Sequence, residues 1–337
     1  MNYEPVFSVT PLLINRIEQI AALRERILGA TVNVAWIPAL QMDSKARNAH
    51  CSTAIEGNPL TLEQVRAIEE GREVPAVAER ATREVENYFA GLRHIEKRAD
   101  IKTIRHEELF ELHRIIAGGG VMDQGEAGRY RTINVRVGAH FPPPPNEVSV
   151  LMFDLLEWWN KEAAKNSPVI SSAVLHYRFE EIHPFADGNG RVGRTLALWE
   201  LYRRGFDTQH IFSVDEFYWE DCLRYYAELQ TVQQGNGDLT SWIEYCAEGL
   251  LQTLERTWAR VQKFSAIAVA PKLILRPKQE QLLALLQAHG RMAPSEIWDA
   301  LGISRQGAIK LMRPLLDAGF IVREGTRKSG SYRLNTM

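Results

Sequence analysis

The sequence has few cysteines, no histidine pair with metal-ligand spacing and almost no net charge, and each absence excludes a class of protein. Its 337 residues include Cys51, Cys222 and Cys246, scattered and odd in number, which argues against a disulfide framework and favours a reducing compartment. The nine histidines form no His-x-x-x-His pair, so we expect no zinc site. The formal net charge is −2, so no chain-wide basic field indicates nucleic acid or membrane.

Targeting and membrane segments are also missing from the sequence. The stretch Met1–Pro5 lacks the basic region and following apolar stretch of a signal peptide. No apolar run reaches the roughly 18 residues that a membrane helix needs. We therefore expect a cytoplasmic protein with no membrane partner. The hydrophobic content of 45% and charged content of 24% are typical of a globular chain, and the length favours about two or three domains.

The patterning predicts a mainly helical protein with short breaks. One helix is predicted from near Pro38 to Glu56, where Gly57 provides a stop. The next helix is predicted to open at Thr61, because Thr61 to Gln64 fits a capping box. A further helix is predicted after Ser167, with a proline in its first turn, and ends near Ile182. The helix that follows is predicted to begin near Asn189 or Gly190 and to run to about Arg204, with Gly205 as its stop.

One segment departs from the helical pattern. Residues 129–137 are rich in side chains that favour extended structure, so the sequence predicts a small β-hairpin, or flap. Pro142 to Pro145 follow it. We interpret the four prolines as a rigid loop in preference to a ligand for an SH3-type domain.

The chemistry is concentrated in the stretch His183 to Arg194, which is predicted to join two helices. Glycines at a helix start leave backbone N–H groups free to face an anion, and the helix dipole adds positive potential there. Arg191 and Arg194 project from neighbouring positions of the first turn, and guanidinium groups match phosphate oxygens. Asp187 lies just before this site as a hard oxygen ligand for Mg²⁺. His183 is a candidate general base, although a lone histidine at a helix end would ordinarily be structural.

Two common nucleotide motifs do not explain this stretch. Gly188 to Gly193 matches the spacing G-x-G-x-x-G, but a dinucleotide site needs a preceding strand and a βαβ unit. Here the preceding residues indicate a helix. The sequence also contains no G-x-x-x-x-G-K-[ST] phosphate loop.

The whole stretch resembles the signature of the Fic family, His-Pro-Phe-x-(Asp/Glu)-Gly-Asn-Gly-Arg-x-x-Arg, with every fixed position matched. The stretch Gly128–Arg131 and the proline-rich segment after it resemble the start of the Fic flap, and the stretch Tyr225 to Trp242 resembles later core helices. The resemblance covers roughly residues 30 to 250. It implies a bacterial-type enzyme that transfers AMP from ATP to a Ser, Thr or Tyr hydroxyl of a target protein.

The resemblance also implies a role for each matched residue. His183 would deprotonate the target hydroxyl, and Asp187 would bind Mg²⁺ against the α- and β-phosphates. The anion hole would be lined by Gly188, Asn189 and Gly190, and the outer phosphates would be held by Arg191 and Arg194. The flap, Val137, Gly138, Ala139, His140 and Phe141, would hold a target segment by strand addition. Tyr225 and Tyr226 are candidates for the adenine pocket, with ordinary helix-core packing as an even alternative.

A second short motif resembles the inhibition motif of the same family, (Ser/Thr)-x-x-x-Glu-(Gly/Asn). Ser52 and Glu56 are four residues apart and share one helix face, and Gly57 follows. A carboxylate at a helix C-terminus is disfavoured by the dipole. The resemblance implies that Glu56 pairs with Arg194 and prevents it from holding the γ-phosphate. On its own, the motif would indicate only a surface glutamate.

The C-terminal residues, from Arg276 onward, predict a winged helix-turn-helix. Helices are predicted over 278–288 and 294–301, and a third from Ser304 to about Ala318. Residues 320–322 and 331–334 are predicted as wing strands.

This module carries ten basic and five acidic residues, whereas the rest of the chain carries 30 basic and 37 acidic residues. Arg305, Gln306 and Lys310 could face a DNA major groove, and the wing pair Arg327-Lys328 could touch phosphate. A protein-docking or dimer-forming module is the alternative.

The sequence thus predicts a helical region with the inhibitory helix over 1–100, a catalytic core over 101–262, a linker over 263–275 and the winged helix over 276–337. Expected partners are ATP with Mg²⁺ and a target protein, with a homodimer and DNA as further partners that the sequence allows. Three alternatives to AMP transfer stay open. They are a nucleotide-sensing DNA-binding regulator, transfer of another phosphate-containing group, and removal of AMP.

Overall fold

A computed structural model describes residues 3–30, 37–72, 74, 78–206, 208–268, 276–317, 319–325 and 330–335. The chain divides into two compact units, residues 1–261 and residues 262–337. Within the described residues, no helix is both long enough and apolar enough to cross a membrane.

The first unit is helical throughout its regular structure. Its helices are α1 (Pro11–Ala30), α2 (Ile37–Ile55), α3 (Leu62–Glu69), α4 (Glu79–Lys97), α5 (His106–Ala117), α6 (Pro145–Lys161), α7 (Pro168–Ile182), α8 (Asn189–Arg203), α9 (Asp215–Glu220), α10 (Cys222–Gln234) and α11 (Thr240–Ala268). Helix α11 continues beyond residue 261, so the first residues of the predicted linker are helical. Residues 269–275 of that linker lie outside the described part.

Helices α7 and α8 form the centre of this unit. Both are buried around most of their circumference, which is the pattern of a helix surrounded by other elements rather than of one with a solvent face. Trp199 on α8 and Trp242 on α11 are fully buried beside them. The loop that joins α7 to α8 is thereby held between two buried helices.

Several predicted element ends are confirmed. The Thr61 side chain accepts a hydrogen bond from the backbone of Gln64, and the Gln64 side chain accepts one from the Thr61 backbone, so the capping box at α3 is present. The Ser167 hydroxyl caps α7, which has a proline in its first turn. Helix α8 ends one residue before Arg204, and Gly205 follows with a φ of 64°.

The predicted hairpin over 129–137 is reduced to a single antiparallel bridge between Val137 and His140. Each donates its backbone N–H to the other's carbonyl, at 3.1 and 2.8 Å. The preceding residues form no strand, because their backbone groups have other partners. The Arg131 N–H, for example, donates to the Pro184 carbonyl at 2.9 Å.

The second unit has the predicted winged helix-turn-helix elements. Its helices are α12 (Pro277–His289), α13 (Pro294–Leu301) and α14 (Arg305–Asp317), and its strands are β1 (Arg291–Met292), β2 (Ile321–Glu324) and β3 (Ser331–Leu334). The strands form an antiparallel sheet in the order β1-β3-β2, with Val322 opposite Arg333. Strand β1 was not predicted. The predicted wing-tip pair, Arg327 and Lys328, lies outside the described residues.

Candidate active site

The α7–α8 loop begins with His183, which adopts a left-handed backbone conformation with a φ of 49°. Non-glycine residues seldom adopt this conformation, and they do so where surrounding contacts enforce it. The His183 N–H still donates to the Phe179 carbonyl at 2.9 Å, which closes α7. The chain turns sharply at this residue, so the imidazole is held at the rim of the loop.

Arg131 holds this turn from the outside. Its guanidinium is buried and donates to the carbonyls of Ile182, His183, Ile133 and Pro143. Two of these carbonyls lie at the C-terminal end of α7, where a positive charge is favoured by the helix dipole. Burial lowers the pKa of Arg131. This arginine therefore fixes the backbone of the proposed base without touching its ring.

The His183 ring has one buried and one available nitrogen. Nδ1 is buried without a hydrogen-bond partner among the described residues, and Glu180 Oε2 lies 3.6 Å from it. Nε2 is not among the buried unpartnered atoms. Nε2 has no hydrogen-bond partner among the described residues, and His183 lines the pocket described below, so Nε2 is the nitrogen left for a substrate hydroxyl.

The middle of the loop is closed by side chain to backbone hydrogen bonds. The Asn189 amide accepts from the Phe185 N–H and donates to the Phe185 carbonyl, both at 2.9 Å. This side chain is buried, so the structure uses it to shape the loop rather than to face a ligand. Gly188 has a φ of 78°, which glycine adopts without steric cost. Its N–H donates to Asp187 Oδ1 at 2.6 Å.

His113 on α5 supports the same loop from below. Its ring stacks on Phe185, with ring centres 3.7 Å apart. Its Nδ1 accepts from the Gly128 N–H at 2.7 Å, so Nε2 carries the hydrogen and donates to the Asp187 carbonyl at 2.9 Å. Burial lowers the pKa of His113 to about 4, which keeps the ring neutral in this arrangement.

Asp187 and Arg191 fit a magnesium-phosphate site. The Asp187 carboxylate is partly exposed and is oriented by the N–H groups of Gly188 and Asp123. Arg191 is buried, and its Nε and Nη1 have no partner among the described residues. Buried donors without acceptors are costly, so an anion at this helix N-terminus would satisfy them. One carboxylate suits Mg²⁺, which usually takes few protein ligands and completes its shell with phosphates and water. No cluster of three acidic, histidine or cysteine ligands occurs in the described chain.

Arg194 lies one turn further along α8 and is bound by the end of α2. Its Nη2 contacts Glu56 Oε1 at 2.8 Å and donates to the Ser52 carbonyl at 2.9 Å, while its Nε donates to the Ser52 hydroxyl at 2.8 Å. Gly190 makes this approach possible, because a Cβ at that position would clash with the Glu56 carboxylate. Gly57 ends the segment with a φ of 90°.

A buried polar cluster lies behind Arg194. The Tyr88 hydroxyl donates to Asp215 Oδ2 at 2.8 Å, and both side chains are buried. Burial raises the pKa of Asp215, and Arg194 opposes that shift. Burial by itself lowers the pKa of Arg194, but Glu56, Tyr225 and Asp215 raise it well above its usual range. Arg194 therefore stays charged, and Glu56 is the carboxylate that approaches it from the pocket.

A pocket of about 580 Å³ opens beside these residues. Of the predicted site residues, it is lined by Glu56, Val137, Gly138, His140, His183, Gly190, Arg194, Tyr225 and Tyr226. Ser52, Gly57, Ala139, Phe141, Asp187, Gly188, Asn189 and Arg191 lie outside this lining. Tyr226 is 37% exposed, whereas Tyr225 is 1% exposed. Tyr225 is thus packed in the core and borders the pocket at the same time, and its hydroxyl hydrogen-bonds His176 at 3.1 Å.

Sequence reasoning missed His113, Asp215 and Tyr88. For His113 a signal was present, since it shares the apolar face of α5 with Leu109, Leu112 and Ile116. A polar residue on such a face needs a buried partner. Asp215 and Tyr88 carry no comparable local signal, because their contact joins two helices far apart in the chain.

Comparison with known proteins agrees with this geometry. A model of the Fic/DOC family matches residues 103–201, and a model of winged helix-turn-helix DNA-binding domains matches residues 275–322. The protein adenylyltransferase fic-1 of Caenorhabditis elegans is 34% identical over 212 residues, which are 61% of this chain and 39% of that protein. The protein adenylyltransferase Fic of Drosophila virilis is 30% identical over 270 residues, 78% of this chain and 52% of that protein. The matched part of the chain thus spans 39% and 52% of the length of these two curated relatives.

A solved structure extends the similarity to nearly the whole chain. The crystal structure of a Fic family protein from Desulfovibrio desulfuricans G20 has a TM-score of 0.67 and 28% identity, and the match covers 98% of each chain. C. elegans Fic-1 (residues 134–508) has a TM-score of 0.64 and 27% identity over 74% of this chain and 73% of that one. The present chain therefore contains a Fic domain followed by a C-terminal winged helix-turn-helix domain.

Proposed function

We propose that this protein is an adenylyltransferase that moves AMP from Mg-ATP to a hydroxyl side chain of another protein. The observation that carries the proposal is the α7–α8 loop, where His183 stands at the rim of the pocket within one short segment of Asp187, Arg191 and Arg194. A base, a hard oxygen ligand and two guanidiniums are what hydroxyl attack on a polyphosphate requires. The names of the curated relatives support the same activity.

The reaction follows from these positions. The target hydroxyl oxygen attacks the α-phosphorus and its proton passes to His183 Nε2. The new bond joins that oxygen to phosphorus, and the bond from the α-phosphorus to the bridging oxygen breaks. Pyrophosphate leaves with the electron pair. The arginines neutralise the phosphate charge, and positioning supplies most of the remaining rate.

Asp187 would hold the Mg²⁺ that this reaction needs, with the loop hydrogen bonds keeping its carboxylate in place. When bound, the ion neutralises the charge that develops on the phosphates. The flap bridge, Val137 to His140, lies on the pocket. Apart from this bridge, no described strand pairs with residues 137–141, which suits strand addition by an extended target segment.

The contact between Glu56 and Arg194 supports an inhibitory role for Glu56. Arg194 has its Nη2 and Nε engaged by Glu56 and Ser52, so it is not free to hold the γ-phosphate. ATP would then bind in a pose that does not place the α-phosphate for attack. Release of Glu56 would restore the phosphate contact.

Intact-protein mass spectrometry tests the proposal. Wild type, Glu56→Gly and Glu56→Gly/His183→Ala are incubated with Mg-ATP and lysate, and AMP adducts are measured on all proteins. We expect adducts to increase in the single variant and to disappear in the double variant. Absence of any adduct, with ATP still bound, would contradict transfer and favour a nucleotide-sensing role.

A second candidate function concerns the winged helix unit. Arg305, Gln306 and Lys310 are exposed on α14, the helix that follows the turn at Gly302 and corresponds to a recognition helix. The basic excess of this module and its match to a winged helix-turn-helix DNA-binding family support DNA binding. The competing role is docking of a protein or of a second copy.

Fluorescence anisotropy with a labelled duplex separates these roles. DNA binding predicts an affinity that falls steeply as salt rises, and a weaker affinity in Arg305→Ala/Lys310→Ala. Arg313→Ala, which removes an exposed charge paired with Asp317, is the control. If the duplex does not bind at low salt, docking becomes the role of this unit.

A further inference from the structure

We infer that Glu180 is the positioning residue of His183, which orients the imidazole so that Nε2 faces the target hydroxyl as the base. This inference rests on the proposed transfer reaction. It adds a residue that lies outside the signature stretch and was not singled out in the sequence.

The first observation is a pair of buried atoms that lack partners. His183 Nδ1 and Glu180 Oε1 are both buried without a hydrogen bond among the described residues, and Glu180 Oε2 lies 3.6 Å from Nδ1. Their side chains are 16% and 12% exposed. Hydrogen bonds between catalytic groups are often long without substrate and shorten in the reacting complex. The unpartnered Nδ1 thus has the other oxygen of the same carboxylate, Oε2, as its neighbouring acceptor.

The second observation is that Glu180 has no structural ion pair to explain it. Within the described part of the chain, no lysine or arginine lies within ion-pair distance of its carboxylate, and His183 is the one side chain paired with it. The adjacent Glu181 differs, because its carboxylate pairs with Arg178 at 2.6 Å. A nearly buried carboxylate beside a phosphate site lowers the stability of the fold. The placement of Glu180 is therefore better explained by a role in the reaction than by a role in stability.

The third observation is the space that α8 leaves for this carboxylate. A Cβ at Gly193 would clash with Glu180 Oε1 and lie 3.2 Å from its Cδ. Gly193 occupies a variable position of the signature, so phosphate binding does not by itself demand glycine there. The absence of a side chain at this position lets Glu180 reach back toward His183.

The geometry assigns a role to each atom of the pair. Nδ1–H donates to the Glu180 carboxylate, so Nε2 holds the lone pair that takes the hydroxyl proton. After transfer, both ring nitrogens carry hydrogen, and the carboxylate stays ionised and stabilises the imidazolium. A carboxylate orients the base in the same way in hydrolases with a Ser-His-Asp triad.

Kinetics in the Glu56→Gly background give the first test. The rate of AMP incorporation into lysate proteins is measured against Mg-ATP concentration, with and without Glu180→Gln, which keeps the shape and removes the charge. We expect the maximal rate to fall about tenfold or more, with the half-saturating ATP concentration within about twofold. Glu162→Gln, a change at an exposed carboxylate paired with Lys165, is the control.

A second variant separates positioning from general damage. Gly193→Ala should displace the carboxylate and lower the maximal rate likewise, and combined with Glu180→Gln it should add little further loss, as for residues that act as one unit. An unchanged maximal rate in Glu180→Gln would overturn the inference, and so would fully additive losses.

Nitrogen NMR of the wild-type protein tests the inference without any transfer activity. The chain is labelled with ¹⁵N-histidine, and the His183 signals are assigned by their loss in His183→Ala. At pH 8, where imidazole is ordinarily neutral, we expect Nδ1 to carry the hydrogen and Nε2 to be bare. The opposite tautomer would overturn the inference. Absence of AMP transfer in the Glu56→Gly parent, with the expected tautomer present, would contradict the proposed function alone.

Discussion

Glu56 Oε1 lies 2.8 Å from Arg194 Nη2, although the two residues are 138 positions apart. The Arg194 side chain is 1% exposed, whereas Glu56 is 34% exposed. The arginine side chain is thus buried and is held by hydrogen bonds to Ser52. The glutamate is partly exposed and lines the pocket. This asymmetry means that a change at Glu56 can free the guanidinium without unfolding its support.

Glu56→Gly should raise the rate of AMP transfer about tenfold or more, because the γ-phosphate no longer competes with Glu56 for Arg194. A free-energy difference of roughly 1.4 kcal/mol between these two contacts corresponds to a factor of ten in rate. The measurement is adduct formation with Mg-ATP and lysate proteins over time. Glu70→Gln on the exposed end of α3, where the carboxylate pairs with Arg72, should leave the rate unchanged. Equal rates in wild type and Glu56→Gly would refute the inhibitory role.

Asp187→Asn should raise the Mg²⁺ concentration needed for half-maximal transfer by about tenfold or more. The substitution keeps the size of the side chain and removes its charge, and the one amide oxygen can accept from the N–H of Gly188 or from that of Asp123, which now donate to different carboxylate oxygens. The titration is made in the Glu56→Gly background. An unchanged Mg²⁺ requirement would place the metal ligand elsewhere.

Arg131→Ala should lower the free energy of unfolding by about 2–4 kcal/mol, because two carbonyls at the end of α7 and the Pro143 carbonyl lose a charged donor. Arg129→Ala is a matched control two residues away. The Arg129 side chain is 74% exposed and pairs only with Glu126 among the described residues, so its loss should cost no more than about 0.5 kcal/mol. Urea unfolding at pH 7 measures both, and similar losses would contradict the assigned role of Arg131.

His176 should make the protein less stable in acid. Burial, with a smaller effect of Arg194, lowers the pKa of His176 to about 3. An unfolded histidine has a pKa near ~6.5. The unfolded state therefore binds the proton first, and stability present above pH ~6.5 is lost as the pH falls toward 3.

When the pH is lowered from 7 to 4.5, His176 alone should reduce the free energy of unfolding by about 2–3 kcal/mol. Urea unfolding of wild type and His176→Gln at pH 7 and at pH 4.5 isolates the contribution of His176, because the other titrating groups are common to the two proteins. We expect a smaller pH dependence in the variant. Equal pH dependence would mean that folding does not lower the pKa of His176.

The local signals in the sequence were sufficient to predict much of the fold. The ends of α3, α7 and α8 were predicted because capping residues, prolines and glycines act on the backbone within a few positions. The winged helix elements were predicted for the same reason. The sequence predicted a β-hairpin at the flap, whereas the structure has a single bridge there. Residues that favour extended structure do not form a hairpin unless a partner strand lies beside them.

The sequence by itself determined which groups the α7–α8 loop carries, because the proposed base, the proposed metal ligand and the two guanidiniums lie within twelve consecutive positions, from His183 to Arg194. Only the tertiary structure decided what those groups touch. It placed Glu180 against His183 in the space left by Gly193, buried Tyr225 while exposing Tyr226, and set His113 beneath the loop. Such contacts depend on how helices pack across long stretches of chain, where sequence spacing gives neither distance nor burial.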